Sequence, residues 1–416
     1  MSPVIFISAG EASGEHYGAL LARVLLGSTP PKGQTAELYG MGGPQMAAAG
    51  VECVVRSEDM AVMGLTEVLL HLPRIYREFR KLKRAIRARR PDVAVLIDFP
   101  EIHFRLAKLF HEMGVPVIYF VSPQLWAWKQ HRIKLVQQYV RRMLVIFPFE
   151  EPYYRERGVE AEFVGHPLAE LPAPTVTREQ FASENNLDPA KTWIGLLPGS
   201  RLKEIQDHLP ELLLAARILS TTDSAADTAS YPREACEFLI PLASTLDASQ
   251  RATVLQLVRD HGDGLSVRLV DEARAALFHA RASVVASGTA TVEAALIGNP
   301  FVVVYRVSPV TYAIAKRVVK VPHVAMANLI AGKRVVPELI QNDFTAANIV
   351  QHLKPLLPDG PARESMRIEL WSVRAALLVT AASGDTTAPG AIERVAAIVI
   401  DELEAKHPPA VLAGQP

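Results

Sequence analysis

The chain has 416 residues, of which 49% are hydrophobic and 21% charged, and its 44 Lys plus Arg balance 44 Asp plus Glu. That length exceeds one ordinary core and suggests two domains, the composition excludes a disordered or fibrous chain, and the balanced charge gives no hint of a partner. Two distant cysteines, Cys53 and Cys236, exclude a disulfide framework or a Cys-based zinc site, and neither a signal peptide nor a run of ~18 apolar residues is present, so a soluble chain, or one lying on a membrane without crossing it, is expected.

Residues 4–8 read as a strand that runs into Gly10-Glu11-Ala12-Ser13-Gly14-Glu15 and then a helix with Leu20, Leu21, Val24 and Leu25 as its apolar positions. Gly10 and Gly14 let a ligand approach the backbone, but the pattern is not GxGxxG, so a sugar or headgroup beside Ser13, Gly14 and Glu15 is expected rather than a dinucleotide. The Gly-rich turn Tyr39-Gly40-Met41-Gly42-Gly43 follows a short strand, and residues 51–55 read as another. From 59 to 72 the chain is strongly apolar, with Met60, Met63, Leu65, Val68, Leu69 and Leu72, and reads as a hairpin. Residues 74–90 read as a helix carrying nine Lys or Arg against Glu78 alone, with Ile75, Phe79, Leu82 and Ile86 on one face. Together the two stretches suit an anionic membrane surface, with Met63, Leu65, Val68, Leu69 and Leu72 as acyl contacts; a core-packed helix with a solvated basic face is the other reading.

Residues 91–96 read as a buried strand ending in Ile97-Asp98-Phe99-Pro100, which sets Asp98 at the carboxyl end, where open α/β sheets place their ligand crevice. After a helix, strand 115–121 leads into Ser122-Pro123-Gln124-Leu125-Trp126-Ala127-Trp128, where core packing normally finishes. Strand 143–147 ends in Pro148-Phe149-Glu150, a helix covers 151–157, and 161–164 leads into Gly165-His166-Pro167. The Pro-rich stretch 171–175 reads as a linker. The βα pattern then restarts with strand 192–197, the turn Pro198-Gly199-Ser200-Arg201 and helix 204–219. Further strands are expected at 237–241, 266–269, 282–285 and 301–305, and closing helices near 345–356, 361–380 and 388–405. Residues 221–232 read as a polar, mobile insertion, and the last nine residues as a disordered tail.

Two βα halves joined by a linker leave a cleft as the default site for a two-part substrate. In the second half, the small-residue turn Ser287-Gly288-Thr289 opens a helix with Glu293 one turn inside. Free N–H groups there suit a phosphate and Glu293 suits a sugar hydroxyl, while an N-cap by Ser287 or Thr289 with Glu293 closing a capping box is the plainer reading. Pro198-Gly199-Ser200-Arg201 offers a second helix start with a guanidinium for phosphate oxygens; a surface ion pair with Glu204 is the alternative for Arg201. Two anion-suited turns favour a nucleotide diphosphate, and with neither a Walker A pattern nor Asp-x-Asp, no metal and no cofactor are expected. In the first half, Asp98 is the leading general-base candidate and His166 the second.

Taken in order, Gly10-Glu11-Ala12-Ser13-Gly14, Gly40-Met41-Gly42-Gly43, Ile97-Asp98-Phe99-Pro100, Ser122-Pro123-Gln124-Leu125-Trp126-Ala127-Trp128, Phe147-Pro148-Phe149-Glu150, Gly165-His166-Pro167, Pro198-Gly199-Ser200-Arg201 and Ala286-Ser287-Gly288-Thr289 closely resemble the lipid-A-disaccharide synthases, bacterial glycosyltransferases of the GT-B class. The resemblance implies an α/β fold of two Rossmann-like domains facing across a cleft. An acceptor and membrane-facing domain is expected at 1–170, rejoined by helices at about 361–405, and a UDP-sugar domain at 176–345. It implies inverting transfer from UDP-2,3-diacylglucosamine to 2,3-diacylglucosamine 1-phosphate, giving the β-1,6-linked disaccharide and UDP. Asp98 and Arg201 would be catalytic. Ser13, Gly14, Glu15, Ser122, Trp126, His166, Gly199, Ser200, Ser287, Gly288, Thr289, Glu293 and Asn328 would bind substrate. A cytoplasmic protein held peripherally at the inner membrane by anionic phospholipid is implied, with a homodimer by exchange of C-terminal segments as a further expectation. Glu15, Glu101, His103 and the 221–232 insertion depart from the family pattern, the first three of them on the acceptor side. Another UDP-sugar enzyme of this class and a non-catalytic sugar-nucleotide binder are the competing readings; nucleic-acid binding is disfavoured because no stacking aromatics interleave the basic run.

Overall fold

The computed structural model describes residues 2–27, 36–60, 65–221, 236–243, 245–319, 321–379 and 389–406, with side chains 61–71, 310, 314 and 315 outside the description. The 221–232 insertion beyond Thr221 and the last nine residues therefore lie outside it. The chain divides into two units, Met1–Glu170 with Leu377–Pro416, and Leu171–Ala376.

The first unit is built on seven parallel strands: β1 (Val4–Ala9), β2 (Glu37–Gly42), β3 (Glu52–Arg56), β4 (Val93–Ile97), β5 (Val117–Phe120), β6 (Arg142–Val145) and β7 (Ala161–Phe163), in the order β3-β2-β1-β4-β5-β6-β7. The strands are nearly continuous apolar runs because helices cover both faces of a parallel sheet. Phe6, Tyr39, Phe110 and Tyr119 are fully buried in its core. The strand order reverses between β1 and β4, whose registers pair Ala9 with Ile97. The loops after these two strands, Gly10–Gly14 and Asp98–Pro100, are therefore neighbours at the switch point. Gly10 is needed there, since a Cβ would lie 2.2 Å from the Phe99 ring.

The expected hairpin at 59–72 is not what forms. Residues 65–72 belong to one helix with the basic run, Leu65–Arg89. The spacing of Leu65, Val68, Leu69, Leu72, Ile75, Phe79, Leu82 and Ile86 is that of a helix throughout, and Pro73 does not end it. Leu82 and Ile86 are buried in the core with Ile75 and Phe79 packed against it, whereas Leu72 and Tyr76 stand exposed at 47% and 63%.

The second unit repeats the plan with six parallel strands: β8 (Thr192–Leu197), β9 (Cys236–Pro241), β10 (Val267–Val270), β11 (Ala282–Ala286), β12 (Phe301–Tyr305) and β13 (Glu338–Ile340), ordered β10-β9-β8-β11-β12-β13. Its switch point lies between β8 and β11, which pair Leu197 with Val285. Pro198–Arg201 and Ser287–Thr289 follow these strands directly.

The closing helices divide between the units. Helix Pro361–Ala376, expected to rejoin the first unit, packs instead on helices Thr289–Ile297 and Met326–Ala331 of the second; helix Ala391–Lys406 alone returns, packing on helix Ala12–Gly27 and β4. The physical reason is the buried face of the first of these, Met366, Leu370 and Val373, which the second unit covers.

Candidate active site

Asp98 and Phe99 both adopt left-handed backbone, with φ of 51° and 48°, a conformation non-glycine residues avoid and one associated with functional sites. Three hydrogen bonds hold it. The Asp98 N–H donates to the Phe120 carbonyl at 3.0 Å, and its own carbonyl accepts from Tyr119 Oη and His103 Nδ1, each at 2.6 Å. The carboxyl accepts a hydrogen bond from the Phe99 backbone, which favours its charge, but burial, helped by the nearby Glu11 carboxylate, wins and pushes it up to about 7. A carboxylate poised near neutrality at a strand end suits a general base. Glu11 lies in the Gly10–Gly14 motif, and its charge near Asp98 is visible only in the fold.

Ser122 and Trp126 meet on one carboxylate. Ser122 Oγ donates to Glu150 Oε1 at 2.7 Å and Trp126 Nε1 to the same oxygen at 2.9 Å, while the Phe147 N–H reaches Oε2 at 3.2 Å. Glu150 is 1% exposed, and burial outweighs these bonds and pushes its carboxyl up to about 7. Ser122 and Trp126 thus line up through Glu150, a residue sequence reasoning placed only in a motif. The other end of this loop is tied down by Glu101, which bridges Lys129 at 2.9 Å and Arg132 at 2.8 Å. Trp128 remains 41% exposed with the Lys129 ammonium 4.1 Å over its ring.

Three of the expected site residues are engaged within the protein. His166 is 2% exposed, its Nδ1 accepts the Leu168 N–H, and desolvation lowers it to about 3. A ring so buried and so engaged is a neutral packing and capping group, not a base. Asn328 is 0% exposed: its Oδ1 accepts from the Val335 and Val336 N–H groups, and its Nδ2 donates to the Val336 carbonyl and Glu338. All of its hydrogen-bonding capacity is spent inside the protein, where it shapes the approach to β13. Glu15 accepts from the Gln45 N–H at 2.7 Å and sits where a Cβ on Gly43 would fall, so it caps helix Pro44–Ala48. Ser13 and Gly14 lie in the first turn of helix Ala12–Gly27.

In the second unit, helix Thr289–Ile297 begins at Gly288 without any side-chain cap; the capping-box reading fails because neither Ser287 nor Thr289 serves as N-cap. There is open space beside this helix start, where nothing lies within 4 Å of a Cβ on Gly288. Glu293 is partly buried on the same helix and helps hold the Arg274 charge. At the neighbouring loop, Gly199 has φ of 126°. The Glu204 carboxylate accepts from the Ser200 N–H at 3.3 Å and from Arg201 at 2.9 Å. The ion-pair reading of Arg201 is thus realised, and the same two donors are those an anionic ligand would use. Met63, Leu65, Val68 and Leu69 fall among the side chains outside the description; Leu72 is the exposed member of that set.

Two parallel sheets of this strand order, each with small-residue loops at its switch point, are the architecture of GT-B glycosyltransferases and the sugar-nucleotide epimerases that share it. Among solved structures, CalG4, the calicheamicin glycosyltransferase, matches with a TM-score of 0.55 at 18% identity over 98% of this chain and 100% of that one. A Staphylococcus aureus MnaA–UDP structure matches with a TM-score of 0.61 at 13% identity over 95% of each. These likenesses are of fold. The family itself follows from sequence: the lipid-A-disaccharide synthetase family model matches residues 5–377, and the lipid-A-disaccharide synthase of Acidobacterium capsulatum is 55% identical over 412 residues, 97% of each chain. The chain belongs to the lipid-A-disaccharide synthase family, glycosyltransferases of lipid A biosynthesis.

Proposed function

We propose that this chain joins UDP-2,3-diacylglucosamine to 2,3-diacylglucosamine 1-phosphate. The acceptor 6-hydroxyl attacks the anomeric carbon, the bond from that carbon to the diphosphate oxygen breaks, UDP departs, and the hydroxyl proton passes to the Asp98 carboxylate. Inversion at the anomeric carbon gives the β-1,6 linkage. The observation carrying this reading is the Asp98 carboxyl, strained into position at one switch point with its pKa raised to about 7. The Ser200 N–H, the Arg201 guanidinium and the uncapped helix start at Gly288–Thr289 would take the departing diphosphate, and Glu293 a ribose hydroxyl. Ser13, Gly14, Ser122 and Trp126 would border the acceptor.

The exposed side chains of helix Leu65–Arg89 support membrane contact: Leu72 and Tyr76 would enter the interface while exposed Arg77, Arg80, Lys81 and Arg84 meet anionic headgroups. Among the described residues no helix is long and apolar enough to cross a membrane. A peripheral site on the cytoplasmic face and a homodimer remain part of the proposal.

The test is purified protein with both lipids in detergent micelles and EDTA, following UDP and disaccharide by mass spectrometry. Disaccharide formation that Asp98→Asn cuts by about 10²-fold or more supports the reading. UDP-sugar binding without product at any acyl length would favour a non-catalytic binder, and full turnover by Asp98→Asn would remove the base.

A further inference from the structure

Two histidines that the proposed chemistry does not use, His103 and His208, are both 0% exposed and are wired alike in the two units. His103 Nδ1 lies 2.6 Å from the Asp98 carbonyl oxygen and its Nε2 2.8 Å from Ser8 Oγ. His208 Nδ1 lies 2.6 Å from the Pro198 carbonyl oxygen and its Nε2 3.1 Å from the Arg306 nitrogen. A carbonyl oxygen can only accept, so Nδ1 carries the proton in both rings. In the first unit Nε2 is left to accept from the Ser8 hydroxyl; in the second it lies 3.1 Å from the Arg306 nitrogen and 3.2 Å from the Arg306 carbonyl oxygen, so the ring is anchored to Arg306 main chain in either role. Each imidazole is therefore held between two fixed points.

What each ring holds is the main chain where a strand gives way to a site loop. Asp98 follows β4 and, with Phe99, is in left-handed backbone; Pro198 follows β8 and precedes Gly199, whose φ of 126° is open to glycine but not to residues with a Cβ. Left-handed non-glycine backbone persists only where its surroundings over-determine it. At Asp98 the second donor to the same carbonyl is Tyr119 Oη, so His103 supplies one of two bonds there. At Pro198 the ring joins the loop to the residue that follows β12.

We propose that His103 and His208 are positioning residues, one holding the Asp98 carboxylate and the other the Gly199–Arg201 anion-binding turn, each through the main-chain carbonyl at the end of the preceding strand. The inference rests on the functional reading above. Neither ring touches a reacting atom; each acts through the backbone of the group that does. The division of labour follows from the geometry: disturbing His103 misplaces a base and lowers kcat, whereas disturbing His208 misplaces diphosphate donors and weakens UDP binding.

The experiment uses His103→Phe, His103→Asn, His208→Phe and His208→Asn in the full chain, with kcat, donor KM and UDP affinity by calorimetry. Phenylalanine keeps ring volume without hydrogen bonds; asparagine keeps an amide N–H near the place of Nδ1. His103→Phe is expected to lower kcat about ten- to a hundredfold with UDP affinity unchanged, and His103→Asn to recover much of it. His208→Phe is expected to weaken UDP binding about tenfold, with His208→Asn again recovering it. Binding of UDP by the His103 variants also reports that they are folded. Should His103→Phe fail to fold, Ser8→Ala frees Nε2 with little loss of packing, and an undiminished kcat in that variant overturns the first half of the proposal. Folded phenylalanine variants with wild-type kcat and UDP affinity overturn all of it, as does an equal loss of both properties in every variant without rescue by asparagine. Asp98→Asn, measured alongside, separates the two claims: full turnover there defeats the base assignment, whereas an inactive Asp98→Asn beside a fully active His103→Phe defeats only the brace.

Discussion

Asp98, the proposed base, is a residue whose charge the fold makes expensive. With its pKa raised to about 7 by burial and Glu11, the ionised form needed to accept a proton is lost as pH falls. The acidic limb of kcat/KM should therefore bend near pH 7, well above an ordinary carboxyl, and a limb near pH 4 would contradict the burial account. Replacing Glu11 by Gln should move that limb downward, since it removes the like charge. Asp98 was legible from sequence because a buried strand type ends beside it. Glu11, Glu150 and His103 were not, because their meaning comes from partners far along the chain, 95 residues in the case of Ser8 and His103. Asn328 misled for the opposite reason: a polar residue inside a small-residue helix looks available until its four bonds are seen.

At the scale of elements, the parallel strands were readable as apolar runs, and only β13, three residues long, gave no pattern. The hairpin reading of 59–72 failed because the apolar residues were weighed by composition, whereas their spacing of three and four was already helical. What that helix does with its exposed end can be measured. Leu72→Ser combined with Tyr76→Ser should reduce co-sedimentation with anionic vesicles, and Arg80→Glu with Arg84→Glu should remove the salt-sensitive part of binding. Undiminished binding by both would leave the helix as a core element with a solvated face. The loops at the switch points are equally testable as elements. Gly10→Ala would drive a methyl into the Phe99 ring, 2.2 Å from its ideal position, and should lower kcat while sparing UDP affinity. Gly199→Ala meets both a positive φ and the Glu204 carboxylate at 2.6 Å, and should cost about 1 kcal/mol or more of stability along with diphosphate affinity.

For the molecule as a whole, the buried ionisable groups of the first unit set opposing pH dependences. Asp98 and Glu150 have raised pKa values, both about 7, so the stability they confer when protonated is present at low pH and lost as pH rises through 7. His103 and His166 are lowered to about 4 and 3, so the stability tied to their neutral forms is present above 6.5 and lost as pH falls through those values. Between about pH 4.5 and 6.5 the two trends offset each other, and the carboxyls dominate between 6.5 and 7. Asp98→Asn should consequently melt higher than the parent at pH 8 and close to it at pH 4; a variant less stable at pH 8 would refute the buried-charge account. The division of the closing helices adds a consequence of a different kind. Because helix Ala391–Lys406 completes the first unit, the second is an insertion within it, continuous in sequence, while the first is split. A nonsense codon ahead of Ala391 would therefore cripple the half that the ribosome makes first, whose polypeptide stays incomplete until this helix has been translated.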